Sequence, residues 1–153
     1  MLRRGQAMVE SLLAVLIITS LFFALFGLSR LLMGRIMAEH AAMRVARARA
    51  VGFNDFMCLK SARVAVIPSA GKRLWPTDEE FGEAQEAGRV RTYMECPDEP
   101  RARGLLEYEG WLPSRLHVDP GDGTLSRVRL KDGWIDVKGE AGIEQGYTYY
   151  LEP

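Results

Sequence analysis

The chain has 153 residues, in which 20 Lys and Arg balance 20 Asp and Glu, with two cysteines and two histidines. This length suits one ordinary domain, or a smaller domain carried on an anchor. A formal net charge of zero gives no support to a nucleic-acid partner, because such a partner requires a basic excess on one face.

The neutral total hides two parts of opposite charge. Residues 1–52 contain seven arginines and two glutamates, a net charge of +5. Because the whole chain is neutral, residues 53–153 carry the compensating −5. A basic and apolar first third therefore precedes an acidic remainder of mixed polarity.

The first predicted element is an apolar segment, residues 11–29, which has no charged side chain. As a helix it spans about 28 Å, close to the ~30 Å hydrocarbon core of a bilayer. A secretory signal peptide has a shorter apolar region and a small-residue cleavage site after it. We therefore predict a transmembrane helix. Arg3 and Arg4 before it favour a cytoplasmic start, although Arg30 and Arg35 on the far side weaken that charge rule.

The helix is predicted to continue well beyond this segment, over residues 6–52. Residues 31–51 are rich in alanine and contain no proline, and Gly52 is suited to a helix C-terminus. Such a helix is about 70 Å long. Its apolar residues after position 30 do not form one clean stripe. Either contact with neighbours on several sides or partial packing would explain this pattern.

Residues 53–153 are predicted to form a small, mainly antiparallel β domain, which makes the fold class α+β. The clearest signal is Asp132-Gly133, a two-residue turn between alternating segments over residues 127–138. Thr77 and Glu80 have the spacing of a capping box that would open a short helix. Further strands are predicted at residues 63–67, 90–95 and 146–152.

The sequence before the apolar segment carries the functional signal. Residues 3–10 read R-R-G-Q-A-M-V-E, so a basic start and Gly5 precede a carboxylate, Glu10, at the edge of the membrane helix. A carboxylate there is unfavourable without a partner, and by itself Glu10 would be interpreted as a boundary charge. The combination resembles the signature of type IV prepilins. More narrowly, it resembles the start of TadE-like minor pseudopilins of tight-adherence (Tad) pili, in which Gly-Gln-Ala-x-Val-Glu is typical.

A second segment extends the resemblance, which covers about the first fifty residues. Residues 41–47, A-A-M-R-V-A-R, are similar to an A-A-R-x-G-A-R segment of that family. Val45 stands where the family often has glycine, and the proline common in the middle of the family's apolar segment is absent here.

The resemblance implies a processing site and a set of partners. A prepilin peptidase of the membrane would cut between Gly5 and Gln6, and Glu10 would serve filament assembly. The other implied partners are inner-membrane lipid and further pilin subunits, bound through the N-terminal helix. The implied location is the bacterial inner membrane, with residues 53–153 outside the cytoplasm or in the pilus. We expect a structural assembly protein without cofactor or metal, not an enzyme.

Two alternatives stay open at this point. One is a pseudopilin of a type II secretion system or of another type IV filament. The other is an ordinary membrane-anchored periplasmic binding domain, in which Glu10 is incidental.

Cys58 and Cys96 both follow the apolar segment. On the extracytoplasmic side they would lie where disulfides form and persist, so we predict a bond between them. The alternative is two unrelated buried thiols.

Overall fold

A computed structural model of the chain describes residues 2–77, 83–121, 125–133 and 135–142. Within these residues the chain forms four α-helices and five β-strands. The helices are α1 (Leu2–Ala50), α2 (Asp55–Ala65), α3 (Glu83–Glu95) and α4 (Glu99–Arg103). The strands are β1 (Arg73–Trp75), β2 (Glu107–Tyr108), β3 (Leu116–Asp119), β4 (Leu125–Asp132) and β5 (Ile135–Gly142). Two short 3-10 helices are Ile67–Ser69 and Glu109–Trp111. The predicted α+β class is confirmed.

The predicted long helix is found as α1, which runs without interruption to Ala50. It ends in the pair of backbone hydrogen bonds that defines a Schellman motif. Gly52 N–H donates to Arg49 O at 2.9 Å, and Phe53 N–H donates to Ala48 O at 3.1 Å. Gly52 adopts φ +88°, a left-handed conformation that a residue with a Cβ adopts only at a cost.

The chain divides into two compact units, Met1–Met33 and Gly34–Pro153. The second unit therefore includes the last part of α1 together with all later elements. Here α1 buries small side chains at spacings of three and four residues, which places them on one face of the helix. The buried residues of this face are Ala38, Ala41, Ala42, Val45, Ala46 and Ala48.

Small side chains on α1 allow the backbone of β5 to approach the helix directly. Ile135 and Val137 of β5 pack with Ala38 in one hydrophobic cluster. A Cβ added at Gly139 would fall on the carbonyl group of Ala38 and on the amide nitrogen of Glu39, far inside the 3.0 Å below which the neighbouring atoms must shift. Glycine at position 139 is therefore a packing requirement.

The larger sheet has the order β3-β4-β5 and is antiparallel throughout. Its β4–β5 hairpin confirms the predicted turn, since Asp132 pairs with Ile135 and Gly133 has φ +58°. Val128 is buried while Arg127 and Arg129 are exposed, as the alternation predicts. The smaller sheet pairs β1 with β2, again antiparallel.

Two predicted strands are wrong, because the structure has helix at both positions. Residues 63–65 belong to α2, which Asn54 opens by accepting a hydrogen bond from Met57 N–H at 2.9 Å. Residues 90–95 end α3, where Val90, Tyr93 and Met94 pack in the core at helical spacing. In both cases the segment has only five or six residues, which is too short to distinguish the two-residue period of a strand from the 3.6-residue period of a helix. The predicted capping box depends on Glu80, which lies outside the described residues, as does the predicted strand at 146–152.

Candidate functional site

The first compact unit presents its apolar side chains outward. α1 from Met8 to Ala50 is the one described helix that has the length and apolar composition to cross a membrane. Phe23 in the middle of the apolar segment is 68% exposed, and Leu12 nearer its start is 70% exposed. Exposed apolar surface of this extent on a protein marks a membrane or protein interaction site. The segment is therefore compatible with membrane anchoring.

The predicted processing residues lie on the first turns of this helix. Backbone at Gly5 and Gln6 is helical, and the side chains of Gln6 and Glu10 are exposed. These two residues are four apart, so they share one face of α1. Glycine is about 1 kcal/mol less favourable than alanine in a helix, so Gly5 is a point where the helix opens at low cost.

Glu10 lies directly at the start of the apolar surface. Its neighbours along the chain, Met8, Val9, Leu12 and Leu13, are each more than half exposed. No described residue forms an ion pair with Glu10 in this structure. A carboxylate in an apolar surface of a membrane helix is costly unless a partner is supplied. Glu10 is therefore a charged group at the edge of an exposed apolar surface.

Cys58 and Cys96 lie in the same hydrophobic cluster of the second unit, but the predicted disulfide is not formed in this structure. Each thiol has its own acceptor. Cys58 Sγ is 3.8 Å from Phe53 O, and Cys96 Sγ is 3.5 Å from Asp98 O. Burial raises the pKa of the Cys58 thiol, which makes it a weak nucleophile. The disulfide between Cys58 and Cys96 stays a prediction, which applies to protein that has been exposed to an oxidising compartment.

Lys60 is a feature that sequence reasoning missed. Its side chain is fully buried, and its Nζ donates hydrogen bonds to Met94 O at 2.8 Å and to Cys96 O. Those carbonyls belong to the last turn of α3 and to the residue after it, where a cation satisfies free acceptors and opposes the negative helix end. The ammonium also lies 4.9 Å from the ring centroid of Phe56. Burial lowers the pKa of Lys60.

A second buried cation, Arg63, lies one helical turn further along α2. Its Nη1 donates to the hydroxyl of Tyr93 at 3.3 Å. The Tyr93 ring in turn stacks on Trp111, with the ring centroids 5.2 Å apart. Burial raises the pKa of Tyr93, and Arg63 partly offsets that effect. Lys60 and Arg63 thus attach α2 to α3 through polar contacts inside an apolar core.

Tyr108 extends this aromatic cluster to the smaller sheet. Its ring meets Trp111 edge to face at 4.9 Å, and its hydroxyl donates to the Glu86 carboxylate of α3. Burial, followed by this hydrogen bond, raises the pKa of Tyr108. The aromatic cluster of Tyr93, Tyr108 and Trp111 has a structural role. The Tyr93 hydroxyl is hydrogen-bonded to α2 and the Tyr108 hydroxyl to α3.

Among the residues that the structure describes, no three His, Cys, Asp or Glu side chains come together in a way that could hold a metal ion. Asp119 accepts a hydrogen bond from Gly121 N–H at 3.0 Å, which is the geometry of a turn.

Comparison with known proteins returns no relative: no family model matches the chain, and neither a curated protein nor a solved structure does.

Proposed function

We propose that this chain is a prepilin, and more narrowly a minor pilin or pseudopilin of a Tad-type pilus. The observation that carries the proposal is the order of groups on one helix. A basic start, Gly5 and Glu10 lead directly into the apolar segment of an unbroken 49-residue helix. The proposal places the apolar segment in the bacterial inner membrane and the second compact unit outside the cytoplasm, before assembly into the pilus.

In the proposed mechanism, cleavage between Gly5 and Gln6 creates a new α-amine one helical turn from Glu10. Within a single chain this amine can pair with Glu10 across the i, i+4 spacing. In a filament, the amine of a neighbouring subunit can take the same place and so fix the axial register of the two helices. A buried ion pair of this kind contributes specificity more reliably than net stability.

Processing gives the first test. Protein purified from a membrane with an active prepilin peptidase is expected to begin at Gln6, because the bond after Gly5 is the proposed cleavage site. Intact-mass spectrometry measures this directly, and a further loss of ammonia would show cyclisation of the N-terminal glutamine. Retention of residues 1–5 would reject the pilin proposal and favour a permanently anchored domain.

Substitution of Glu10 gives the second test. Glu10→Ala is expected to insert, be cleaved and accumulate normally, since removing a carboxylate from an apolar surface relieves a cost in the bilayer. Its amount in sheared pili is expected to fall by at least about tenfold, because removing one partner leaves the other charge buried and unpaired, which costs more than the roughly 1.4 kcal/mol of a tenfold change.

Glu39→Ala is the matched control for Glu10→Ala. Glu39 is also an exposed glutamate of α1, but it already pairs with Arg35 at 3.0 Å. Exposed i, i+4 pairs contribute little, so this variant is expected to assemble at the wild-type level. Normal piliation by Glu10→Ala would show that Glu10 is merely a boundary charge.

A further inference from the structure

The core of the second compact unit contains two cationic side chains. Lys60 is 0% exposed and Arg63 is 5% exposed, and no aspartate or glutamate that the structure describes is buried. The arginine side chain keeps its proton in proteins, so Arg63 carries its positive charge inside an apolar core. A buried charge is costly unless it is both paired and hydrogen-bonded. The partners of each cation therefore decide whether the fold satisfies it.

Lys60 finds its acceptors within the chain, whereas Arg63 does so only in part. Lys60 Nζ donates to the carbonyl groups of Met94 and Cys96. Arg63 Nη1 donates to the Tyr93 hydroxyl at 3.3 Å, but Arg63 Nε is buried and has no acceptor among the described residues. A hydroxyl group is neutral, so it does not balance the charge of the guanidinium.

A second donor in contact with Tyr93 is also left without an acceptor. Trp111 is 3% exposed and stacks on the Tyr93 ring, and its Nε1 is buried and unpaired within the described part of the chain. The exposed Trp75 differs, because its Nε1 donates to Gly104 O at 2.7 Å. Buried polar groups are nearly always hydrogen-bonded, so Arg63 Nε and Trp111 Nε1 both call for an acceptor.

The carboxylates of the surrounding elements are already engaged. Glu86 of α3 accepts the hydrogen bond of Tyr108. Glu99 of α4 and Glu109 of the second 3-10 helix each form an ion pair with another arginine. The cluster therefore combines a permanent positive charge with two unpaired N–H donors, and donors beside a positive charge are the chemistry that binds an anion.

We propose that Arg63, Tyr93 and Trp111 form a binding site for a small monovalent anion such as chloride. The anion accepts hydrogen bonds from Arg63 Nε and Trp111 Nε1 and balances the guanidinium charge. A water molecule supplies the same acceptor without the charge, so the test has to separate these two ligands. The site lies wholly within the second compact unit, and it does not depend on the proposed function.

The test is urea unfolding of the full chain in neutral detergent, because urea adds no anion. Sodium chloride replaces sodium gluconate at constant ionic strength, which keeps the screening of surface charges unchanged. Gluconate is too large for a site of this kind. The unfolding equilibrium constant is expected to fall with chloride, by about tenfold once chloride reaches roughly nine times its dissociation constant.

Trp111→Phe is expected to lose this chloride response, since it keeps an aromatic ring and removes the indole N–H. Trp75→Phe is the matched control, because it makes the same change at an indole whose acceptor is Gly104 O, and it should keep the full response. An equal response in Trp111→Phe and wild type would overturn the site. Equal stability of wild type in chloride and gluconate would overturn it as well, and would leave water as the acceptor.

Bromide quenching of fluorescence gives a second readout that leaves Arg63 and Trp111 unchanged. Trp75→Phe combined with Trp134→Phe keeps Trp111 as the one tryptophan of the chain. Its fluorescence is expected to fall with bromide along a saturating curve, and added chloride should reverse the quenching by competition. Quenching that rises linearly with bromide and is insensitive to chloride would contradict the proposal.

Discussion

Gly139→Ala is expected to destabilise the second compact unit by about 3 kcal/mol or more, a large part of the 5–15 kcal/mol that holds a typical domain folded. The added methyl group would occupy the space of the Ala38 carbonyl and the Glu39 amide nitrogen. These are backbone atoms inside a helix, so they cannot rotate away as a side chain could. Either β5 must separate from α1 or the sheet must distort.

Gly142→Ala is the matched control, since it adds the same methyl group to the same strand. A Cβ at position 142 would meet nothing within 4 Å. Its effect is expected to stay within about 0.5 kcal/mol of wild type. Denaturant unfolding of the full chain in detergent, followed by tryptophan fluorescence, measures both variants. Equal midpoints for the two would show that β5 does not pack on the α1 backbone as described.

Lys60→Ala is expected to cost about 3 kcal/mol, from a cavity in the core and from two carbonyl acceptors left without a donor. Lys60→Met separates the two causes, because it fills the volume and removes only the hydrogen bonds. Its expected cost is about 1–2 kcal/mol. Lys72→Ala, which removes an exposed lysine, should be nearly neutral. A Lys60→Ala protein as stable as Lys72→Ala would contradict the capping role.

The pH dependence of Lys60→Met has a definite sign. Burial lowers the pKa of Lys60 in the folded state below its usual 10.5. Between the lowered pKa and 10.5 the unfolded chain binds more protons, so this group makes wild-type stability rise with pH. Lys60→Met is expected to lack that rise, so its deficit relative to wild type should grow toward pH 10.5. Tyr93 and Tyr108, whose pKa values are raised, are present both in wild type and in Lys60→Met. Their effect on stability is therefore the same in the two proteins and cancels in the comparison.

The elements that the sequence predicts correctly are those with a strong local cause. α1 follows from a long proline-free segment, and the β4–β5 hairpin follows from alternation on both sides of Asp132-Gly133. Strands were wrongly predicted within α2 and α3. Apolar residues there, such as Val64 and Val90, favour strands locally, whereas tertiary packing favours helix. The helical spacing of Cys58, Ala62 and Val66 becomes visible only over a segment of about nine residues.

The sequence alone predicts the candidate residues near the N-terminus, but it does not predict the role of Lys60. Gly5, Gln6 and Glu10 are recognised from one contiguous motif, so their placement on α1 follows directly. Lys60 gives no such signal, because a lysine in a helix is usually solvated. Its acceptors lie 34 and 36 residues away in the chain, at Met94 and Cys96. Only the folded structure brings them together.

The alanine face of α1 has a consequence for how the sequence can vary. Ordering an alanine costs backbone entropy only, so this contact forms without freezing side-chain rotamers. The backbones approach so closely at Ala38 and Gly139 that position 139 has no room for a Cβ, and the alanines of this face are themselves buried. In a library of all single substitutions, the buried alanine positions should accept little beyond glycine and serine. Ile36 and Met43, on the exposed side, should accept many residues in any selection for folding alone.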